Sequence, residues 1–393
     1  MADPTVTVRV AFDTDPMAAV PTWTDISATT TSFFSKRGRQ HELNRMEGGV
    51  AEIDLLNTSG DYWPLNAGGS YFGKVLPGKK VNIRATYNAI TYDLFTGFAE
   101  SWKPGWTSNQ ISKAKLTVVG INKRFTRHEM NNAGEAQELS GTRIGNVLDE
   151  IGWPAADRDL DTGQTTVKAT GAQVAVNSMS HLFLVQDTEV GIVFLAGDGD
   201  VQFQDRHARL IAPYTVSQAT FGEDGAELGY RMITPSYDDQ FIYNDIRRTR
   251  DGGTEQMASD AISQGDYGKS TDNKTGLLML LDTEAADQCS YMLSQYKNPA
   301  FRIEGLQLFP NQDPANLFPK ALGYEISTRI TLRNNEAHLD QDFHIEGITH
   351  HFNPASGQPW TTIWQLSNAT SVKYWVIGVA GFGEIGETTR VAY

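Results

Sequence analysis

Two glycine-containing motifs have the spacing that nucleotide-binding loops use. The tripeptide Gly268-Lys269-Ser270 ends like a phosphate-binding loop, but that pattern needs glycine at position 263, where the chain has Ser263. The stretch 381–386, GFGEIG, has the glycine spacing of a dinucleotide-binding turn. It lies a few residues before Tyr393, and no helical pattern follows that would direct backbone amides at a pyrophosphate. Neither motif predicts a cofactor, so none is expected.

An aspartate pair has the spacing that begins a calcium-binding loop. These residues are Asp198 and Asp200, but Phe203 occupies the position of the required turn glycine and Arg209 that of the bidentate glutamate. Glycine and aspartate are also common turn residues. The segment Gly197–Gly199 therefore predicts a hairpin turn, and no metal site is expected.

Histidine and cysteine do not form a catalytic or metal-binding pattern. His350 and His351 are neighbours in a predicted strand, so their rings point to opposite faces and cannot both bind one ion. Cys289 is the only cysteine, which excludes an internal disulfide within one chain and a four-thiolate zinc site. It lies on the apolar side of a helical pattern and is expected to be buried. Since no catalytic motif of a hydrolase or peptidase occurs either, the sequence does not predict an enzyme and assigns no catalytic residue.

The chain is acidic and typical of a folded protein. Its 393 residues include 33 Lys and Arg against 47 Asp and Glu, which gives a net charge of −14. Such a chain lacks the clustered basic residues that bind DNA or RNA, and it would repel a nucleic acid that passes close by. The N-terminus lacks the pattern of a signal peptide, and no apolar run approaches the length of a membrane span. We therefore expect synthesis in the cytoplasm, with no membrane-spanning segment.

The elements that position these residues begin with strands. In the stretch Arg37–Asn66, apolar side chains at 51, 53 and 55 alternate with carboxylates at 52 and 54, which predicts a half-buried strand. An aromatic-rich loop follows and ends near Pro77-Gly78. About six strands up to residue 120, with no helix between them, favour a small antiparallel barrel or sandwich.

Helical patterns appear only after residue 120. Apolar spacing predicts a helix over Ser140–Ile151, a second helix over 172–185, and then a hairpin over 191–205. Strand patterns resume near residue 229, and the strongest helical pattern of the chain, Asp282–Lys297, lies among them. The order of elements predicts an α/β insert between two β-rich regions.

Three blocks of sequence, in chain order, resemble the minor tail proteins of long, non-contractile-tailed bacteriophages, which in turn are similar to the baseplate hub protein at the tip of phage tails. The first block is the stretch Arg37–Asn66 with its continuation through 77–81 and 94–102. The second comprises 152–154, 158–163 and GDVQFQDRHARL at 199–210. The third comprises 243–253, 266–268, 296–299 and 302–303, and the ending GFGEIGETTRVAY adds to it.

The resemblance implies a mainly β fold with an α+β insert. Two tail-tube-like antiparallel β-barrels would flank a small α/β domain, and a C-terminal arm would follow. The expected units are a first barrel at 1–120, the insert at 121–228, a second barrel with a long helix at 229–370, and the arm at 371–393.

The resemblance also implies a role and partners. Proteins of this type form a homotrimeric hub at the distal end of the tail, where six barrels match the sixfold tube to a threefold tip. The implied partners are further copies of the chain, the tail tube or a distal tail protein, the tape measure protein, and downstream tip or receptor-binding proteins. DNA would pass through the lumen without specific binding, and the protein would be part of the virion.

The aromatic loop has two interpretations. Its residues Tyr62, Trp63, Pro64, Tyr71 and Phe72 would form a contact between subunits if the loop lies at the rim of a barrel. Alternatively, the exposed rings would bind glycans of the cell wall. The first interpretation is the main prediction for this loop, and the second is its alternative.

Overall fold

The computed structural model of the chain describes residues 3–106, 112–369, 373–375 and 389–391. Most of the predicted C-terminal arm, and the glycine motif at 381–386, lie outside these residues. The described part contains six α-helices and 25 strands, together with 3₁₀ helices at Ser27–Thr29, Ala155–Asp157, Ala208–Leu210 and Pro310–Gln312.

The described part of the first region is built from strands and contains no α-helix, as the alternating pattern predicted. They are β1 (Thr5–Val10), β2 (Thr24–Asp25), β3 (Thr30–Gly38), β4 (Glu47–Leu56), β5 (Lys80–Tyr87), β6 (Ile90–Trp106) and β7 (Ser112–Val119). Asn88 and Ala89 have φ values of 47° and 64°, the positive values that a two-residue hairpin turn between β5 and β6 requires. The predicted strand in the stretch Arg37–Asn66 is β4, and its alternating apolar residues Ala51, Ile53 and Leu55 are buried.

The middle region mixes helices with short strands. They are α1 (Asn122–Arg127), β8 (Glu129–Asn132), β9 (Glu138–Leu139), α2 (Ser140–Ile151), β10 (Arg158–Leu160), β11 (Thr166–Val167), β12 (Gln173–Asn177), α3 (Ser178–Glu189), β13 (Ile192–Leu195), β14 (Val201–Gln204) and β15 (Thr220–Phe221). The predicted helix α2 and the predicted hairpin β13–β14 are both present. Gly152 ends α2 in the left-handed conformation, with φ of 78°.

The predicted helix over 172–185 is wrong in its first half. Residues Gln173–Asn177 form strand β12, which pairs with β8. The Asn177 side chain then accepts a hydrogen bond from the Ser180 amide and caps α3, so the helix begins only at Ser178. The apolar pattern alone could not separate a short strand from a helix in this segment.

The last region returns to strands and adds three helices. They are β16 (Met232–Ser236), β17 (Asp245–Arg250), β18 (Gln256–Ser259), α4 (Ala261–Tyr267), β19 (Thr271–Leu277), α5 (Asp282–Tyr296), β20 (Arg302–Leu308), α6 (Pro314–Gly323), β21 (Arg329–Asn334), β22 (Leu339–Phe352), β23 (Trp360–Asn368), β24 (Lys373–Trp375) and β25 (Thr389–Val391). The long helix α5 packs against β17 and β18 of a separate three-stranded sheet, and not against the main sheet.

One continuous sheet of 13 strands joins the two β-rich regions. The connection is an antiparallel pairing of β3 with the C-terminal half of β22, from Phe33 opposite Phe352 to Gly38 opposite Gly347. Gly38 has φ of +94°, and a Cβ there would overlap the carbonyl oxygen of Glu346, so only glycine fits this crossing. The N-terminal half of β22 pairs with β21 instead.

Buried apolar side chains form three large clusters. The first lies in the β1–β7 region and also includes Phe318 and Leu322 of α6 together with Trp360. The second joins α2 and α3 to β14. The third lies among β20 to β23. Each region therefore has a core of its own, while α6 fastens the last region onto the first.

Candidate assembly surface

The aromatic loop, residues 57–79 between β4 and β5, is held in place by its own polar side chains. Asn57 is fully buried, and its side-chain oxygen accepts a hydrogen bond from the Tyr62 amide at 3.0 Å. The Asp61 carboxylate accepts the Ser70 amide at 2.7 Å, and hydrogen bonds from Ser59 and Ser70 lower the pKa of Asp61. The Asn66 amide donates to the Gly60 carbonyl at 3.0 Å. These bonds fix the direction in which each aromatic ring points.

Two of the five predicted interface residues point into the barrel. Tyr62 is only 2% exposed, its hydroxyl shares a 2.5 Å hydrogen bond with Thr29 Oγ1, and its ring stacks on Trp102. Burial raises the pKa of Tyr62 to about 12. Tyr71 stacks on Phe12 with ring centroids 4.5 Å apart. Both tyrosines therefore anchor the loop to the core and do not offer their rings to a partner.

Five apolar side chains of the loop and of the end of β6 are exposed or half-buried, and we call them the aromatic rim: Trp63, Leu65, Phe72, Leu76 and Trp106. Trp63 is half-buried and packs edge-to-face on Trp106, with ring centroids 5.2 Å apart. Phe72 is 52% exposed, Leu65 75% and Trp106 60%. Pro64, which was also predicted as an interface residue, lies between Trp63 and Leu65 in the chain and is half-buried.

Sequence reasoning missed three members of the rim. Trp106 comes from the end of β6, far from the loop in sequence, and no local pattern links it to Trp63. Leu65 and Leu76 belong to the loop itself, but an isolated leucine in a loop has no sequence pattern that shows whether it is exposed. The Leu76 carbonyl accepts a hydrogen bond from the Trp102 indole at 3.3 Å, which holds this end of the loop beside Tyr62.

The composition of the rim suits packing against another protein. Large apolar side chains exposed together on one surface are typical of interaction sites, and tryptophan is enriched in the centres of protein interfaces. Of the four rings considered for glycan binding, only Trp63 and Phe72 face outward. The Asp61 carboxylate in the same loop accepts hydrogen bonds from Ser59 and Ser70.

The remaining motifs have structural roles in the described part of the chain. The Gly268-Lys269-Ser270 segment follows α4 and leads into β19, and Lys269 Nζ lies 3.1 Å from a carboxylate oxygen of Asp245. Cys289 is fully buried on the inner side of α5. His350 is buried and shares a hydrogen bond with Thr362, whereas His351 is exposed and lies on Phe34.

The described residues offer neither a metal site nor a membrane-spanning helix. They contain no group of three or more His, Cys, Asp and Glu side chains that could hold a metal ion. They also contain no helix long and apolar enough to cross a membrane. The turn at Asp198 is a hairpin turn, in which the Thr96 hydroxyl donates to the carbonyls of Gly197 and Asp198.

Comparison with known proteins identifies the fold. No family model matches the sequence, and no curated protein matches it. A tail protein from Neisseria meningitidis aligns with 93% of this chain and 97% of its own, with a TM-score of 0.60 and 9% identity. The 43 kDa tail protein of prophage MuSo2 from Shewanella oneidensis aligns with 93% of this chain and 98% of its own, with a TM-score of 0.59 and 9% identity.

A third solved structure has a similar fold. It is an E. coli component of the type VI secretion system, described as structurally similar to the T4 bacteriophage tail proteins gp27 and gp5. It aligns with 86% of this chain and 73% of its own, with a TM-score of 0.50 and 10% identity. The chain therefore has the mainly β fold of phage tail and baseplate proteins, as the blocks of its sequence predicted.

Proposed function

We propose that the chain is a structural protein of a phage virion and forms a trimeric hub at the distal end of the tail. The observation that carries this proposal is the 13-stranded sheet, in which two β-rich regions are fused through β3 and β22. Each copy thereby offers two β units in a fixed relation. Three copies would offer six, and so adapt a sixfold tube to a threefold tip.

We propose the same four domains, with the same boundaries, that were expected from the sequence. A first tube-like barrel at 1–120, the insert at 121–228, a second barrel at 229–370 and an arm at 371–393 would each have a separate task in the ring. The three core clusters support the first three units. The crossing at Gly38 would then be the rigid joint between the two barrels.

The charge of the chain supports a channel for DNA. Three copies would carry three times −14, and a negatively charged lumen repels phosphates and lets DNA leave without being trapped. No enzymatic step is part of this role. The tail tube or a distal tail protein, the tape measure protein and downstream tip proteins would be the partners, and the aromatic rim would be one of the contact surfaces.

Immunogold electron microscopy of phage tails tests the proposal. Antibodies against the purified chain should label one end of the tail, and label at that end only supports the hub role. Label along the whole tube, or none on intact virions, would contradict it. If the purified chain instead binds cell-wall polysaccharide and Trp63→Ala removes that binding, the glycan interpretation of the loop is the better one.

A further inference from the structure

A large cleft lies where the three regions meet. Its volume is about 1230 Å³, above the range of roughly 300–1,000 Å³ that is usual for small-molecule sites. Its walls are the segment that follows β3, the end of α3, the segment that follows β14, the end of α5, and strands β21 and β22. The proposed hub role does not involve this cleft.

Lys and Arg side chains are concentrated in the lining of the cleft although the chain is acidic. Eight Lys and Arg side chains line it, against six Asp and Glu. Burial, with Glu346 close by, raises the pKa of the Glu42 carboxyl, which further weakens the negative charge in the cleft. Each of these cations also has a carboxylate partner, in several cases on a residue behind the lining. In a chain with net charge −14, the cleft therefore attracts an anionic group chiefly where two cations share one carboxylate.

Two carboxylates, one in the cleft and one behind its wall, each form ion pairs with two cations. Asp187 pairs with Arg45 at 3.1 Å and with Lys274 at 2.6 Å. Glu346, which lies behind the wall, pairs in the same way with Arg39 and Arg209. Arg45 is largely exposed, so one face of this cation pair remains available to a second carboxylate.

The cleft also contains buried polar groups that lack partners. Within the described residues, no hydrogen-bond partner meets Nε of Arg248, Nε of Arg302 or Oε1 of Gln288, and these side chains are only 1%, 5% and 1% exposed. The same holds for Oδ1 of Asn368. Since an unpaired buried polar group is costly, a ligand of this cleft has to offer both acceptors and donors.

An aromatic contact forms part of the wall. The rings of His41 and Phe241 stack with centroids 3.6 Å apart, and the Arg302 guanidinium lies 4.8 Å above the Phe241 ring. Burial lowers the pKa of His41 to about 4, so this ring is neutral at physiological pH and packs as an apolar group. A flat, partly apolar wall beside polar groups suits the side chains and backbone of a peptide.

We propose that this cleft binds an extended, acidic peptide segment of a partner protein. Arg45 and Lys274, which share the single carboxylate of Asp187, receive its carboxylates. The unpartnered groups of Arg302, Gln288 and Asn368 pair with its backbone. A peptide matches both donors and acceptors, whereas inorganic phosphate at neutral pH is chiefly an acceptor and fills little of the volume. The proposal goes beyond the hub role and does not depend on it.

Fluorescence anisotropy with the purified full chain tests this proposal, with fluorescein-labelled oligo-glutamate as the probe. Saturable binding is expected at low salt, and no binding of labelled oligo-lysine. The double variant Arg45→Ser with Lys274→Ser should weaken binding by roughly tenfold, since two charge contacts are lost. The matched control, Lys103→Ser with Lys113→Ser, removes two exposed cations from β6 and β7 and should bind like the unchanged chain.

Three results would overturn the proposal. They are no saturable binding by the unchanged chain, an equal loss in the control variant, and full displacement of the probe by millimolar phosphate. Unchanged melting temperatures of both double variants exclude unfolding as the reason for a loss. The measurement uses the isolated chain, so a negative binding result would not contradict the hub role. A negative antibody-labelling result on tails would likewise not contradict peptide binding by this cleft.

Discussion

At the scale of single residues, buried histidines make the fold sensitive to acid. Burial lowers the pKa of His350 and of His344 to about 3, from 6.5. As the pH falls below about 6.5, the unfolded chain takes up protons that the folded chain refuses, so stability decreases until the folded pKa is reached. Between about pH 7 and pH 5 each such histidine therefore costs the folded state about 2 kcal/mol.

The variant His350→Gln tests this account, since glutamine cannot titrate. The loss of stability between neutral pH and about pH 5 should become smaller by about 2 kcal/mol, as measured by urea denaturation at both pH values. His338 is exposed, so His338→Gln serves as the control and should keep the pH dependence of the unchanged chain. An unchanged pH dependence in His350→Gln would refute the role of His350.

Glu346 is a buried carboxylate at the junction of the three regions, where it pairs with Arg39 and Arg209. It is fully buried and lies 2.7 Å from Arg39 Nε, and the Ser367 hydroxyl donates to it at 2.6 Å. Burial alone would raise its pKa, but the attraction of Arg209 and Arg39 outweighs this and holds the pKa of Glu346 well below its usual range. The carboxylate therefore stays charged and ties the insert to both β regions.

Glu346→Gln should lower the free energy of unfolding by about 3 kcal/mol, because two buried arginines lose the charge that compensates them. The control Glu52→Gln removes a carboxylate that pairs with Lys115 at 2.8 Å on the surface, and should change stability by less than about 1 kcal/mol. Urea denaturation of both variants measures the difference. Equal, small effects would show that the Glu346 cluster does not stabilise the junction.

At the scale of elements, the aromatic loop combines an anchored side with an outward side. Trp63→Asp should leave the barrel folded, since Tyr62 and Tyr71 hold the loop, but it should weaken assembly into trimers and tails. Sedimentation velocity and tail reconstitution measure this. Ile90→Asp, the same kind of change at an exposed position of the β5–β6 hairpin, is the control. Normal trimers and tails from Trp63→Asp would show that the rim is not an assembly contact.

The β5–β6 hairpin allows a second test at this scale. Ala89 has φ of 64°, a conformation that glycine adopts without strain, so Ala89→Gly should raise the free energy of unfolding by up to about 1 kcal/mol. Ala67 lies in the loop without a positive φ, and Ala67→Gly should bring no gain. A loss of stability in Ala89→Gly would contradict the proposed turn geometry.

The sequence predicted those elements whose pattern is long and whose ends are marked. Helix α2 ends at Gly152, and α5 has acidic residues in its first turn and an apolar stripe around Cys289. Helix α6 was not predicted, because Pro319 lies inside it and argues against a helix. Strand β12 was taken for helix because its apolar run is short and directly precedes a true helix.

At the scale of the whole molecule, the joint between the two β regions could not be read from the sequence. Strand β22 carries a bulge between Ile345 and Gly347 in its pairing with β23, and at the same place its other edge changes partner from β21 to β3. The cleft likewise gathers residues from segments that are distant in sequence. Composition did indicate the strongly acidic chain, but not the concentration of Lys and Arg side chains in the lining of this cleft.

The central claim is that three copies form the functional unit, and the mass of the purified full chain in solution tests it most directly. Light scattering coupled to size-exclusion chromatography should give three times 43.4 kDa, and the mass should stay constant on dilution in the micromolar range. A species of 43.4 kDa at all concentrations would contradict the account of this chain as a trimeric hub.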